Sequence, residues 1–251
     1  MSGQPTLRLA YLYPRLMNLY SDLGNIVCLT QRCTWRGIDL RVDEIDLKEQ
    51  PDFKRYDLAF IGGGEDRQQT IAADDLLIYK ADGMKEALGS GLVCLAVCGG
   101  YQLLAEYYKP ADGDPLPGLA HFRAHTVHPG TAAKRCVGNV VARRGTSWLV
   151  GFENHGGRTI LTGSEPLARV VVGNGNNGKD RREGAVEGNS FGTYLHGSLL
   201  PKNPDFADHL IALALRRRGW DEPLAALDDS AEIRARQAML DRLRVKQQRR
   251  V

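Results

Sequence analysis

Short apolar runs alternate with longer amphipathic segments through the first part of the chain. The apolar or alternating runs predict β-strands at residues 6–13, 38–42, 57–61 and 92–97. The segments between them predict helices at residues 22–35, 66–80 and 99–108. Ser21 and Asp22 are suited to N-cap the first helix, and Gly37 follows its expected end. Regular alternation of strands and helices indicates an α/β fold with a mostly parallel central sheet.

The second half of the chain has a different pattern, rich in glycine, valine and threonine. Strand-like runs occur at residues 137–142, 149–152 and 167–172. We expect these strands to extend the sheet or to form a flap, with residues 1–251 forming a single domain. Two closing helices are predicted at residues 204–218 and 231–249. The last is rich in arginine, which is typical of a solvated or partner-facing helix, with binding of acidic lipid headgroups as the alternative.

The composition excludes several classes of protein. The 251 residues are 43% hydrophobic and 25% charged, close to the average of globular chains. A net charge of +3, from 33 basic and 30 acidic residues, lacks the concentrated positive charge of nucleic-acid-binding proteins. Five scattered cysteines do not suit a disulfide framework, and no apolar leader or membrane-spanning run is visible. We therefore expect a cytoplasmic protein that binds no nucleic acid.

Cys98 is the best candidate for a nucleophile. The apolar run 92–97 leads directly into it, and Gly99 and Gly100 follow at the start of a predicted helix. This strand–turn–helix arrangement is that of a nucleophile elbow, in which a tight, strained turn raises the side chain above the end of the strand. A helix N-terminus stabilises a thiolate, and the Gly99 N–H is placed to stabilise an oxyanion. Cys94, within the same strand, is expected to be an ordinary core residue.

A thiolate needs a general base, and His196 is the strongest candidate among the six histidines. It ends a strand-like run and precedes a glycine, a position at which catalytic groups collect in α/β folds. His155 is the alternative base. The clustered residues His121, His125 and His128 lack matching carboxylates or a second ligand group, so we predict no metal site.

Two glycine clusters follow predicted strands. Gly62–Gly64 is not followed by Gly-Lys-Ser/Thr, so it is not a phosphate-binding P-loop, and we expect its N–H groups to help stabilise an oxyanion. Residues 173–178 satisfy the G-x-G-x-x-G pattern but lead into charged residues instead of an apolar helix. We interpret them as a mobile, hairpin-like loop. The sequence contains no recognisable ATP site.

Several sequence blocks together resemble class I glutamine amidotransferases. They are residues 18–25, 61–67, 98–103, 151–159 and 192–203. Within that class they are similar to the cobyric-acid-synthase-like group and, most specifically, to the GatD family of glutaminase subunits of lipid II isoglutaminyl synthases. The resemblance covers nearly the whole chain and implies a flavodoxin-like, three-layer α/β fold with a mostly parallel central sheet.

The resemblance also implies a reaction. Cys98 would attack the side-chain amide of glutamine, release ammonia and form a glutamyl thioester that is then hydrolysed. His196 would take the thiol proton and return one to the leaving group. The N–H groups of Gly63 or Gly64, together with Gly99, would stabilise the oxyanion.

Substrate-binding residues follow from the same resemblance. Arg135 matches the arginine that binds the substrate, and a guanidinium can hold the α-carboxylate of glutamine through two hydrogen bonds. Gln102 matches a glutamine that contacts the substrate in the wider class. One departure concerns the acid: many class I amidotransferases carry a glutamate two residues after the catalytic histidine, where this chain has Ser198. No carboxylate is evident to orient His196.

A partner subunit is implied by what the sequence does not show. The cobyric acid synthases also contain an ATP-using domain, which is not visible here. In the GatD family the partner is a Mur-ligase homologue, MurT, which is expected to hold ATP and Mg²⁺ and to amidate the stem-peptide glutamate of lipid II. The resemblance therefore implies a heterodimer that acts at the inner face of the cell membrane, with no cofactor in this chain. The partner is also a candidate source of the missing acid.

Two alternatives stay open at the level of the sequence. The ammonia could serve another acceptor, such as a corrinoid carboxylate, or the chain could be a non-catalytic binding subunit with the same fold. The lack of a visible ATP-using domain disfavours the first, and the presence of both Cys98 and His196 disfavours the second.

Overall fold

The computed structural model describes residues 5–19 and 22–245. Its strands are β1 (Thr6–Leu12), β2 (Asp39–Ile45), β3 (Leu58–Ile61), β4 (Val93–Val97), β5 (Tyr107–Lys109), β6 (Leu116–Pro117), β7 (Ala124–Val127), β8 (Cys136–Arg144), β9 (Ser147–His155), β10 (Arg158–Leu161), β11 (Ala168–Val172), β12 (Arg182–Glu183), β13 (Ala185–Glu187) and β14 (Ser190–Thr193). Its α-helices are α1 (Leu23–Thr34), α2 (Asp66–Asp75), α3 (Ala81–Gly89), α4 (Gly99–Leu104), α5 (Leu199–Lys202), α6 (Pro204–Arg217) and α7 (Ser230–Arg242). A 3₁₀ turn covers Phe53–Arg55, and a π-helical turn, Leu76–Lys80, joins α2 to α3. The predicted N-cap Ser21 and the predicted end of the last helix at residue 249 lie outside the described residues.

Six strands form the central sheet in the order β13-β14-β4-β3-β1-β2. Neighbouring strands are parallel, except that β13 pairs antiparallel with β14. Both β3 and β4 are buried along their whole length, as expected of strands in the middle of a covered sheet. The carboxyl ends of β1, β3, β4 and β14 therefore meet at one edge, which is the usual ligand-binding edge of an open α/β sheet.

The elements predicted in the first half are present, with two differences in helix length. The predicted end of α1 is confirmed, and Gly37 follows it with a φ of 68°. The helix predicted over residues 66–80 continues through the π-helical turn to Gly89. The helix predicted over residues 99–108 stops at Leu104, because the last carbonyl oxygens of α4 accept N–H groups from the segment that follows β6. The chain then continues as β5 instead of a further helical turn.

The strands of the second half both extend the central sheet and build additional ones. β13 and β14 belong to the central sheet, and the remaining strands form two four-stranded sheets, β10-β7-β5-β6 and β12-β11-β8-β9. A bridge between Phe152 and His196 attaches β9 to the segment that follows β14. The sheet that contains β9 is thereby joined to the carboxyl edge of the central sheet.

The glycine-rich loop at residues 173–178 is anchored inside the protein. The fully buried carboxylate of Glu153 accepts hydrogen bonds from both nitrogens of Asn174 and from the Gly175 N–H. The side chain of Asn176, also fully buried, donates to and accepts from the backbone of Gly184. The hairpin-like connection is confirmed, since the loop joins the antiparallel strands β11 and β12. The body of the protein satisfies the polar groups of this segment and anchors it.

The described part of the arginine-rich last helix packs on the chain itself. Arg236 of α7 donates to Asp205 Oδ1 at 2.7 Å and to Trp148 O at 3.3 Å. Leu240, on the same helix, is buried against Val150 and its neighbours in the β8–β9 hairpin. Across residues 5–19 and 22–245, no helix is long and apolar enough to cross a lipid bilayer.

A buried arginine fastens this C-terminal region to α1. The guanidinium of Arg32, with 3% of its side chain exposed, donates to Asp208 of α6 at 2.7 Å and to Asp229, just before α7, at 2.6 Å. Arg36, one turn later, adds a hydrogen bond to Asp208 at 2.6 Å. Because a buried charge without a partner is costly, these ion pairs make the positions of the three helices interdependent.

Replacing Arg32 with methionine is expected to destabilise the fold by about 3–5 kcal/mol, because Asp208 and Asp229 lose a buried countercharge. The matched control is Arg41→Met, whose ion pair with Asp39 lies at the surface and contributes about 0–1 kcal/mol. Urea unfolding followed by circular dichroism measures both changes. Equal free energies of unfolding for the two variants would contradict the role given to Arg32.

Candidate active site

Cys98 occupies the turn between β4 and α4, at the carboxyl edge of the central sheet. Its backbone has φ 51° and ψ −104°, an unfavourable conformation for a residue with a side chain, so the predicted strained turn is confirmed. Its N–H donates to Thr193 O at 2.8 Å, which fixes the turn to the end of β14. A methyl group at Gly100 would lie 2.5 Å from Ile61 O, so the turn approaches β3 too closely for any side chain there. Cys94, by contrast, is fully buried, and burial raises the pKa of its thiol to about 12.

His196 lies beside Cys98 and is fully buried. Its backbone N–H donates to Phe152 O at 2.7 Å, so β9 holds this residue in addition to the strand that precedes it. Burial acts to lower the pKa of the imidazole, but the negative charges of Cys98 and Asp22 outweigh it and raise the pKa to about 10. A histidine that is protonated at neutral pH is the partner that a cysteine thiolate requires.

Asp22, expected only as a helix N-cap, supplies a carboxylate to the same site. It precedes α1, but its side chain is fully buried and makes no capping hydrogen bond. Its Oδ1 lies 3.6 Å from His196 Nδ1, and its Oδ2 accepts the Gly63 N–H at 2.8 Å. Asp22 therefore occupies the predicted N-cap position without capping the helix through its side chain. The expectation that the chain has no carboxylate near His196 is wrong. No local pattern reveals the contact, because the two residues come from opposite ends of the chain.

Ser198 stands at the position where many class I amidotransferases carry their glutamate. Helix α1 occupies the space beside it, since a methyl group at Gly24 would lie 2.1 Å from Ser198 Oγ. This close packing brings the start of α1, and with it Asp22, up to His196. The small side chain of Ser198 therefore leaves room for α1, whose start carries the carboxylate of Asp22 beside His196.

The structure leaves one pair of glycines as candidate oxyanion donors. The Gly63 N–H is already committed to Asp22, so it is not available to a substrate oxygen as was predicted. Gly64 and Gly99 face each other instead: the Gly64 nitrogen lies 3.1 Å from the place where a methyl group on Gly99 would stand. Met17 packs behind both glycines, because methyl groups added to them would lie 2.5 and 2.9 Å from its side chain.

A cavity of about 470 Å³ opens above Cys98. Gln102 and Arg135, the two predicted substrate-binding residues, both line it. Arg135 reaches the cavity from just before β8, and its guanidinium donates to Asn154 Oδ1 at 3.1 Å and to Asn154 O at 3.3 Å. The remaining lining residues are Leu19, Gly64, Glu65, Asp66, Arg67, Gln69, Tyr108, His128, His155, Gly156 and Gly157. The structure thus brings the predicted nucleophile and both predicted substrate-binding residues to one cavity.

Gln102 belongs to a buried chain of hydrogen-bonded side chains along the wall of this cavity. Its Nε2 donates to the Tyr194 hydroxyl at 3.0 Å, and its Oε1 accepts from Gln69 Nε2 at 2.9 Å. The chain continues from Tyr194 to Thr159 at 2.6 Å and from Thr159 to Thr126 at 2.7 Å. These side chains come from different elements, so their hydrogen bonds fix the geometry of the cavity before any ligand binds.

His155, the alternative base, is committed to other contacts. Its ring stacks on Tyr194 with 3.8 Å between centroids, and its Nδ1 hydrogen-bonds to Gly157 O at 2.9 Å. Its Nε2 lies 3.7 Å from the buried carboxylate of Glu153. His196 is the histidine that interacts with Cys98, so the geometry favours His196 as the base.

The clustered histidines His121, His125 and His128 do not converge. His121 bonds to Ser190 Oγ at 2.8 Å, whereas His125 stacks on Tyr107 with 5.0 Å between ring centroids. Within the part of the chain that the structure describes, no group of three or more metal-type side chains is placed to hold an ion.

Comparison with known proteins places this geometry in a family. Residues 8–204 match the family model of the CobB/CobQ-like glutamine amidotransferase domain. The chain belongs to this family. It is 42% identical to the lipid II isoglutaminyl synthase (glutamine-hydrolyzing) subunit GatD of Staphylococcus aureus strain N315, over 90% of this chain and 91% of that protein. It is 39% identical to the subunit of the same name from Streptococcus pneumoniae, over 89% of this chain and 86% of that protein. Identity to the cobyric acid synthase of Pelotomaculum thermopropionicum is 30%, over 88% of this chain but 42% of that longer protein.

Solved structures share the fold of this amidotransferase. PurLQS from Thermotoga maritima superposes with a TM-score of 0.55 at 17% identity, over 77% of this chain and 88% of that chain. A further glutamine amidotransferase superposes with a TM-score of 0.57 at 17% identity, over 82% of this chain and 98% of that chain. At this identity the likeness shows the fold alone, and it confirms the predicted class I amidotransferase fold.

The amidotransferase is expected to keep His196 protonated through neutral pH. In NMR spectra of histidine-labelled protein, His196 should titrate near pH 10 in the wild type and at lower pH in the Cys98→Ser variant, because serine removes the charge that raises this pKa. His209 is an internal control, since burial and two neighbouring arginines lower its pKa to about 4 independently of Cys98. A His196 titration below pH 7 in the wild type would contradict the Cys98–His196 pairing.

Proposed function

We propose that this chain is the glutaminase subunit of a lipid II isoglutaminyl synthase. It hydrolyses glutamine at Cys98 and delivers ammonia to a MurT-like, ATP-dependent ligase. The two GatD relatives, 42% and 39% identical over almost their whole length, support this assignment. The observation that carries the hydrolytic part is the buried grouping of Cys98, His196 and Asp22, in which Cys98 lines the cavity and the other two lie behind it.

Glutamine hydrolysis proceeds in two halves. In the first, the Cys98 thiolate attacks the side-chain carbonyl carbon of glutamine, and the oxygen of that carbonyl becomes an oxyanion held by the Gly64 and Gly99 N–H groups. The imidazolium of His196 gives its proton to the amide nitrogen, the C–N bond breaks, and ammonia leaves a glutamyl thioester on Cys98. In the second, His196 takes a proton from water, hydroxide attacks the thioester, and glutamate leaves while Cys98 regains its sulfur electron pair.

Asp22 is a positioning residue in this mechanism. Its carboxylate, 3.6 Å from His196 Nδ1, favours the charged imidazole and keeps the opposite ring nitrogen directed to the reacting atoms. The same carboxylate is fixed by the Gly63 N–H, so it cannot rotate freely away from the histidine. Because this acid belongs to the chain itself, the partner is not required to complete the catalytic group.

The substrate is held at its far end by Arg135. The guanidinium lies at the mouth of the cavity that holds Cys98, and the neighbouring Asn154 orients it. A planar guanidinium matches the α-carboxylate of glutamine through two parallel hydrogen bonds. Gln102 is held in place by its hydrogen bonds to Tyr194 and Gln69, and it contacts the substrate side chain between Arg135 and Cys98.

The ligase partner supplies the rest of the reaction. ATP and Mg²⁺ bind there and activate the stem-peptide glutamate of lipid II, which ammonia from this chain converts to isoglutamine. The two subunits form a heterodimer at the inner face of the cell membrane, where the lipid-linked substrate lies. A corrinoid carboxylate is a weaker alternative acceptor, because the cobyric acid synthase relative is less similar and more than twice as long as its matched part. A non-catalytic role is weaker still, because the nucleophile, base and acid are all present.

Cys98→Ala is expected to abolish ammonia release from glutamine, because no other group can form the thioester. Asp22→Asn keeps the shape of the side chain but removes its charge, and it is expected to lower kcat by about 10²–10⁴-fold. Asp39→Asn, at the surface of β2, is the matched control and should behave like the wild type. A coupled assay of glutamate and ammonia, with and without the partner, measures all three variants. Full activity of the Cys98→Ala variant would contradict the proposed function.

Arg135→Met is expected to raise KM for glutamine by about 10–100-fold with little change in kcat, because it removes a charged hydrogen-bonding partner of the α-carboxylate. The comparison substrate is 4-aminobutanamide, which has the same side chain but lacks the α-carboxylate. Its kcat/KM should be equal in the variant and the wild type. Equal losses for both amides would show that Arg135 does not bind the carboxylate.

A further inference from the structure

Gln69 is a buried polar residue in the active-site cavity that the mechanism above uses only as a support for Gln102. It lies on α2 with 2% of its surface exposed, and it lines the cavity above Cys98. Its Nε2 donates to Gln102 Oε1 at 2.9 Å. A buried amide normally satisfies its oxygen as well as its nitrogen, so the environment of Gln69 Oε1 is informative.

The hydrogen-bonded chain uses the nitrogen of Gln69 and leaves its oxygen over. In the structure Gln102 Nε2 donates to the Tyr194 hydroxyl, and Gln102 Oε1 accepts from Gln69 Nε2. Gln69 Oε1 accepts no hydrogen bond from the residues that the structure describes. It lies 3.3 Å from the place where a methyl group on Gly99 would stand, directly beside the nucleophile turn.

A hydrogen-bond donor and an acceptor therefore lie side by side next to Gly99. The Gly64 nitrogen and Gln69 Oε1 lie 3.1 and 3.3 Å, respectively, from the place where a methyl group on Gly99 would stand. A carboxamide offers the opposite pattern, because its carbonyl oxygen accepts hydrogen bonds and its nitrogen donates them. A carboxylate offers two acceptors, one of which would face the lone pairs of Gln69 Oε1.

We propose that Gln69 is a specificity-determining residue whose Oε1 accepts an N–H of the scissile carboxamide. This proposal rests on the proposed glutaminase function. While the carbonyl oxygen of glutamine sits on the Gly64 and Gly99 N–H groups, Gln69 holds the amide nitrogen. The contact selects glutamine over the product glutamate, whose γ-carboxylate has no hydrogen to donate and is repelled from the same position.

The test compares an amide with an ester in the Gln69→Met variant. Methionine has nearly the volume of glutamine but lacks its acceptor. L-Glutamate γ-methyl ester forms the same thioester on Cys98 but has no N–H in its leaving group. We expect kcat/KM for L-glutamine to fall about tenfold and kcat/KM for the ester to change less than twofold. Inhibition by glutamate should become tighter in the variant.

The measurements use the full chain co-purified with its ligase partner. Gln68→Met is the control, since Gln68 precedes Gln69 on α2 and does not line the Cys98 cavity. Equal losses with the amide and the ester would overturn the proposal and leave Gln69 as a support for Gln102. An unchanged amide rate would also overturn it. A wild-type complex that hydrolyses neither substrate would instead refute the glutaminase function itself, so the two failures are distinguishable.

Discussion

The buried carboxylate of Asp22 is the constraint on which the active site depends. A charge with no exposure to water must be paired, and this one is paired in two directions: Oδ2 accepts the Gly63 N–H, and Oδ1 faces His196 Nδ1. The start of α1, the loop after β3 and the segment after β14 therefore have to meet at one point. The Cys98 turn lies at the same sheet edge, held there by Thr193 O, so one buried carboxylate fixes His196 and the loop after β3 beside Cys98.

The additional sheets of the second half have a complementary role. Their hairpin carries Phe152, which bonds to His196, and Asn154, which orients Arg135. The central sheet thus carries Cys98 at its edge, and the added hairpin places Arg135 and Asn154 on the cavity above it.

Local patterns predicted most elements and the strained turn at Cys98, because each depends on neighbours in the sequence. An apolar strand, Cys98 and two glycines are enough to specify a strained turn. Contacts between segments that are far apart in the sequence could not be predicted from these local patterns. Asp22 is a residue type that favours helix N-caps, and only the folded chain shows its carboxylate 3.6 Å from His196 Nδ1. In the same way, the apolar residues after Gly99 suggest a longer helix, whereas hydrogen bonds from a later segment end it at Leu104.

The central claim is that this chain alone assembles a reactive cysteine with its own base and acid. Covalent labelling with the glutamine analogue 6-diazo-5-oxo-L-norleucine, mapped by peptide mass spectrometry, tests it most directly. Label is expected on Cys98 and on none of the other four cysteines, with protection by glutamine and much slower labelling in the Asp22→Asn variant. Labelling of another cysteine, or an equal rate of Cys98 labelling in that variant, would contradict it.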